Sequence, residues 1–147
     1  LRDVGVALQH YGERNEALSE ALRARGARLI ELTLYEWLMP EDPGPLNALV
    51  DEIIVGTVDA VAFTSQVQIR HLFKVAIDRG MANDLRKALN DRVIVASVGP
   101  TCTSTLKSFQ VNPRVEPEHP KMGPMVLALA AYVEREGLVG PRSEGLS

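Results

Sequence analysis

Val93-Ile-Val-Ala-Ser-Val-Gly-Pro-Thr-Cys-Thr-Ser-Thr-Leu106 is the stretch whose reading decides the fold. Val93 to Val98 form a nearly continuous apolar run of strand length, and Gly99-Pro100 interrupts it. Side chains bearing a hydroxyl or thiol follow at once: Thr101, Cys102, Thr103 and Ser104. A strand that passes through a tight turn into a helix leaves the first helical N–H groups unpaired and pointing outward. The helix dipole adds partial positive charge there, so the turn is suited to a carboxylate or phosphate. The hydroxyls either cap those N–H groups or bind the anion themselves. An earlier strand, Ala60-Val-Ala-Phe-Thr-Ser65, ends in the same style. Two such turns on one sheet predict a single anion-lined crevice. Its candidate binding residues are Thr64, Ser65 and Gln66 from one turn, and Gly99, Pro100, Thr101, Cys102 and Thr103 from the other.

Working outward, Val4 to Leu8 reads as a strand and Asn15 to Arg25 as a helix ended by Gly26. Leu29 to Tyr35 alternates with period two, and Pro40, Pro43, Gly44 and Pro45 make a break. Leu46 to Val55 is an amphipathic helix, and Val58 to Thr64 reads as a central parallel strand covered on both faces. Helices follow over Gln66 to Asp78 and Asn83 to Asn90, then Val93 to Val98 as a buried strand and Thr101 to Phe109 as a helix. Val115 reads as a stub of strand and Pro120 to Glu136 as the last helix, with Pro120 near its first turn. Alternating strands and helices predict an α/β fold, a flavodoxin-like doubly wound parallel sheet of four to five strands with helices on both faces. Strand order 2-1-3-4-5 is the simplest arrangement. Residues 1–137 form the domain, and 138–147, rich in Gly, Ser and Pro, a flexible tail or linker. Ligands bind beyond the carboxyl ends of such strands. Gln9 to Gly12, Tyr35 to Trp37, Thr64 to Gln66 and Gly99 to Thr103 lie there.

The 147 residues suffice for one domain with a real core, and the 46% hydrophobic and 24% charged fractions are those of a soluble globular protein. A net charge of −3 argues against a nucleic-acid-binding surface. No apolar run is long enough to span a bilayer. The start, Leu-Arg-Asp-Val-Gly-Val, has neither signal nor transit pattern, so a cytoplasmic location is expected, and without an initiator Met the chain is expected to be a piece of a longer one. Phosphate-loop, dinucleotide, HExxH and GxSxG motifs are absent, and His10, His71 and His119 have no metal-ligand spacing, so neither metal nor cofactor is expected. Cys102 reads as a reactive thiol at a helix start or, preferably, as a small residue packing the turn. Tyr35 reads as a phenolic proton donor at a strand end or as an amphipathic rim residue. Arg114, Glu116 and Glu118 read as loop charges, with Arg114 a candidate for neutralising an acidic ligand. The residues alone point to a soluble α/β domain that binds a small polyanion.

Taken together, these segments resemble the C-terminal half of the uroporphyrinogen-III synthase family. The landmarks are Leu34-Tyr-Glu-Trp37, Asp59-Ala-Val-Ala-Phe-Thr-Ser65, Ser97-Val-Gly-Pro-Thr101 and Glu118-His-Pro-Lys-Met-Gly123, and their order and spacing carry the resemblance from Val4 to about Ala131. Glu118 to Gly123, with Gly12 to Asn15, looks most like bacterial members fused to a winged-helix DNA-binding domain. The resemblance implies a cofactor-free lyase that closes hydroxymethylbilane, a linear tetrapyrrole bearing eight carboxylates, with inversion of ring D. It implies that Tyr35 assists the leaving hydroxyl and that Ser65 and Thr101 line the cleft, where backbone N–H groups hold carboxylates. Cys102 stands where a second hydroxyl residue is common in the family, and Gln110 where glycine usually ends the helix. The family enzyme has two lobes, whereas this chain carries one half-repeat. Residues 1–37 are therefore expected either to complete their own sheet or to swap into a second copy as a homodimer. The alternative function is a non-catalytic ligand-sensing domain of a transcriptional regulator, itself contacting neither nucleic acid nor membrane.

Overall fold

The computed structural model describes residues 1–34, 36 and 38–137, and it divides into two units, Leu1–Pro40 and Glu41–Ser147. Tyr35, Trp37 and the expected tail at 138–147 lie outside the described residues.

The first unit is a single βαβ turn of chain: β1 (Gly5–His10), α1 (Glu16–Ala24) and β2 (Arg28–Thr33). The strands are parallel, with Gly5 opposite Arg28 and His10 opposite Thr33. Asn15 caps α1 by accepting from the Leu18 N–H, and Glu16 and Arg23 at its two ends suit the helix dipole. Gly26 ends the helix at φ 83, as its position in the sequence predicts. Alternation along β2 sends Leu29 and Glu31 beneath α1 and leaves Ile30 and Leu32 on the open face, Ile30 being 61% exposed. Glu31 is the hub of the unit. It accepts from Arg14 at 3.0 and 2.7 Å, from Ser19, from Arg23 and from the buried His10 Nε2 at 3.1 Å. His10 Nδ1 accepts from the Asn15 N–H at 3.2 Å, which leaves Nε2 to carry the proton shared with Glu31.

In the second unit, α2 (Gly44–Val55), β3 (Ala60–Phe63), α3 (Gln66–Asp78), α4 (Ala82–Asp91), β4 (Ile94–Ser97), α5 (Pro100–Ser108) and α6 (Met122–Arg135) follow in order. β3 and β4 pair in parallel, from Ala60 opposite Ile94 to Phe63 opposite Ser97, and Val115 adds the expected single parallel bridge to Ala96. β4 is buried along its whole length because both its faces are covered. Val95 faces a core that includes Ile53, Ile69, Leu72, Phe73, Leu85, Leu89 and Leu106, while Ile94 and Ala96 face Met125, Ala128, Leu129 and Tyr132 of α6. Phe73 of α3 stacks on Phe109 just past α5, with centroids 4.4 Å apart. Every buried side-chain polar atom among the described residues has a hydrogen-bond partner.

The structure departs from three expectations. The described residues hold two sheets of two parallel strands rather than one sheet of four or five. Strand–helix alternation dictates parallel pairing but not which pairs merge, and the proline-rich break at residues 40–45 separates them along the chain. β3, read as a covered central strand, is an edge strand with Ala62 exposed, because nothing among the described residues pairs with its second side. The last helix starts at Met122 rather than at Pro120, which lies just before the cap at Lys121. Gln110 takes a left-handed φ of 61 just after α5.

Candidate functional site

The register of the second sheet brings the two predicted turns together. Phe63 pairs with Ser97, so Thr64-Ser65 and Val98-Gly99 leave the sheet side by side, linked by the Val98 N–H donating to the Phe63 carbonyl at 3.0 Å. α3 and α5 therefore start next to one another at the carboxyl ends of their strands, where α/β sheets bind ligands.

The first turn is held by its own helix. Gln68 Oε1 accepts from the Thr64 N–H at 3.0 Å, the Ser65 N–H at 3.3 Å and the Thr64 hydroxyl at 3.3 Å. This amide oxygen thus satisfies the N–H groups of the turn, and the Ser65/Gln68 pair is a capping box. The second turn is held by hydroxyls. Ser97, fully buried, donates from Oγ to the Gly99 carbonyl at 3.0 Å and lies 2.9 Å from Thr103 Oγ1, which also contacts Glu116 Oε2. Two hydroxyl protons thus serve three contacts: Thr103 donates to Glu116, and the Ser97 proton is shared between Gly99 and Thr103. Gly99 needs its missing side chain for packing. A Cβ there would lie 2.5 Å from Pro120 Cβ, so the Gly-Pro turn and the Glu118-His-Pro120 loop are in direct contact. Its φ of 169 is ordinary extended backbone.

Between α3 and α5 lies an open groove of about 490 Å³, lined by Gln66 and Arg70 on one side and by Pro100, Thr101, Ser104, Thr105 and Ser108 on the other. Arg70 Nη2 donates to Gln66 Oε1 at 3.4 Å, and the Thr105 hydroxyl lies 3.5 Å from that same oxygen. Of the candidates, Gln66, Pro100 and Thr101 face this groove. Thr64, Ser65 and Gly99 form the adjoining turns, while Thr103 turns away toward Glu116 and Cys102 into the core. Successive residues on a helix are about 100° apart, so Thr101, Cys102 and Thr103 cannot line one wall. Cys102 is 3% exposed, and burial pushes its thiol up, offset in part by a hydrogen bond involving the Val98 backbone, so the packing reading replaces the reactive one. Arg114 is held by the Asn90 carbonyl at 2.7 Å, away from the groove, and serves α4. Ser104 was among the hydroxyls of the turn-centred reading, whereas Arg70, Thr105 and Ser108 escaped it. Their signal is the i, i+4 spacing from Gln66, Thr101 and Ser104. No group of three or more metal-ligating side chains occurs among the described residues, and no helix among them is long and apolar enough to cross a membrane.

Residues 2–127 match the family described as uroporphyrinogen-III synthase HemD. The chain is 34% identical over 131 residues to the uncharacterized protein YjjA of Bacillus subtilis (strain 168), covering 89% of this chain and 48% of that protein. It is 35% identical over 125 residues to a putative uroporphyrinogen-III synthase of Methanothermobacter thermautotrophicus, covering 85% and 48%. The crystal structure of uroporphyrinogen III synthase from the extremely thermophilic bacterium Thermus thermophilus superposes with a TM-score of 0.66 at 33% identity, over 93% of this chain and 52% of that one. A second Thermus thermophilus structure of that enzyme gives a TM-score of 0.62 at 30% identity, over 90% of this chain and 52% of that one. The chain thus spans about half the length of the relatives it matches. With its α/β architecture, its paired turns and this agreement in sequence and structure, the chain belongs to the uroporphyrinogen-III synthase family.

Proposed function

We propose that this chain is the C-terminal half of a uroporphyrinogen-III synthase and supplies one wall of the cleft in which hydroxymethylbilane is closed to uroporphyrinogen III. The observation that carries the reading is the side-by-side start of α3 and α5, with the Gly99 turn packed on Pro120 and a hydroxyl-lined groove beside it. Two adjacent helix starts set partial positive charge beside a ligand whose charge is all carboxylate. In the reaction, protonation of the terminal hydroxyl expels water and leaves an electrophilic azafulvene. Ring D then attacks through its substituted carbon, and the resulting spiro centre rearranges to the inverted macrocycle. Tyr35 is the proton donor in this reading. The remaining work is to hold the linear substrate folded, which converts a floppy cyclisation into an oriented one.

Half the length of the relatives makes half a cleft, so turnover requires the complementary half, from the rest of a longer chain or from a second copy that exchanges residues 1–37. The edge of β3 that no described residue pairs is where a larger flavodoxin-like sheet would be extended. Residues 1–137 then act as the folded portion and 138–147 as a linker, in the cytoplasm. The test is conversion of hydroxymethylbilane by the chain mixed with the N-terminal half of a relative, read as uroporphyrinogen III over the spontaneously formed I isomer. Formation of the III isomer, and its loss in Tyr35→Phe, supports the proposal. Ligand binding with only the I isomer formed refutes catalysis and favours the ligand-sensing alternative.

A further inference from the structure

We propose that the edge of β3 and the adjoining flank of α6 form a docking surface for a second copy of this chain, which lays its β1–α1–β2 unit there. This surface supplies the missing half that the proposed function requires, and it rests on that reading for its occupant. Register sets Ala60 beside Ile94 and Ala62 beside Ala96, so all four side chains share the face that α6 covers. Ala96 is fully buried and Ala60 packs against the cluster of Ile94 and Met125, yet Ala62 is exposed. The cover therefore stops over β3. Parallel sheets are covered on both faces, so a helix is missing beside α6.

A strand is missing at the same place. The Asp59 and Phe63 carbonyls accept from the Ile94 and Val98 N–H groups at 2.9 and 3.0 Å. Alternation then directs the N–H and C=O groups of Ala60 and Ala62 to the side that no described residue pairs. α6 supplies a wall: Met122, Val126 and Ala130 recur every four residues, exposed and directly beside the inward row of Met125 and Leu129. A right-handed crossover from β3 to β4, with the winding of α6, turns this wall toward β3, while Leu127, about 100° further round, points away from the sheet.

A small-residue floor, an apolar wall and unpaired backbone groups fit a strand that arrives with its own helix, as parallel strands do. This chain carries such a unit in β1–α1–β2, whose two-stranded sheet is separate from that of β3. Laid with β1 parallel to β3 and α1 on the α6 side, it gives the order β2-β1-β3-β4 with Val115 last, the right-handed 2-1-3-4-5 arrangement. Two copies make up about the length of one relative, which favours a second copy over an unrelated protein. Exchange is reciprocal and closed, so neither β3 stays open. A standard interface takes roughly 800 Å² from each partner, and exchange makes the contact twice.

The experiment is light scattering of the chain across a concentration series, with amide hydrogen exchange read on the same samples. A dimer is expected whose exchange is slowed at Ala60, Ala62 and β1, and dilution to monomer releases all of them together. Val126→Glu puts a charge on the wall and should weaken dimerisation about tenfold or more, as burial of an unpaired charge does. Ala62→Pro removes an outward N–H and should weaken it too, whereas Leu127→Glu, on the same helix but facing away, should not. All three side chains are exposed, and circular dichroism confirms that the variants fold. A chain that is monomeric at every concentration overturns the proposal, including one whose own first unit protects β3. So does a dimer whose β3 amides stay unprotected, or one weakened equally by Leu127→Glu. A parent that stays monomeric until the N-terminal half of a relative protects β3 makes that half the occupant and overturns the second copy. The isomer assay separates the two readings. A dimer that forms only the I isomer spares this surface and refutes the half-enzyme, and a monomer that forms the III isomer with the complementary half does the reverse.

Discussion

Replacing Gly99 by alanine tests whether the contact with Pro120, rather than backbone freedom, fixes glycine in the Gly-Pro turn. The new Cβ would stand 2.5 Å from Pro120 Cβ and 3.5 Å from its Cα. Carbon atoms rest at about 3.5–4.0 Å, so the ring or the turn must retreat by about 1–1.5 Å. Overpacking of that size costs ~1–3 kcal/mol, and the reduced freedom of the unfolded chain returns ~0.4–1 kcal/mol because φ 169 suits any residue. The net expectation is a loss of about 1–2 kcal/mol, which at ~4–8 °C per kcal/mol lowers Tm by roughly 4–16 °C. Denaturant unfolding of four chains reads it: parent, Gly99→Ala, Pro120→Gly and the double variant. Pro120→Gly removes the clashing Cβ, so Gly99→Ala should cost little in that background and the cycle should show coupling of about 1 kcal/mol or more. Pro120→Ala keeps the Cβ and should preserve most of the cost. Equal costs of Gly99→Ala with Pro120 present and in the Pro120→Gly background would refute the reasoning.

Gln110 holds a left-handed φ of 61 after α5, and the contact there with Asn90 Nδ2 is made by its backbone carbonyl, so Gln110→Gly should stabilise the second unit by about 1 kcal/mol in urea unfolding. Glu31 is held below the usual carboxylate range chiefly by its hydrogen bonds to Arg14 and then Ser19, with His10 adding to them against opposing desolvation. A depressed folded-state pKa gives stability that is full above the unfolded value of about 4.3 and fades as pH falls below it. Glu31→Gln should accordingly weaken the first unit at pH 7 and flatten the loss seen in the parent below about pH 4.3, followed by circular dichroism. Cys102, buried with its thiol pushed up, should react with a thiol reagent only as the second unit opens, so its labelling rate should rise with urea; a fast, urea-independent rate contradicts its burial.

What the sequence disclosed was local. Val93 to Val98 and Gln66 to Asp78 carry their periodicity openly, and Gly26 marks a helix end by a known rule. Sheet membership was hidden because β3 is as apolar as a covered strand, although what would cover its free side is absent from the described residues. At the site, hydroxyls adjacent in sequence suggested one cluster, but helical geometry sends Thr101, Cys102 and Thr103 three ways. Arg70 stood in view among ordinary helix charges and gained meaning only when α5 was seen beside it. The contact of Gly99 with Pro120, 21 positions later, is tertiary information that no local pattern holds.

α6 has a consequence for handling. Its inner face covers Ile94 and Ala96, yet Met122, Val126 and Leu127 on its outer side are exposed, Leu127 at 72%, and no charge interrupts residues 122–133. Together with the side of β3 that no described residue pairs, this gives both apolar surface and a template for strand addition. In the test tube these surfaces favour self-association as concentration rises.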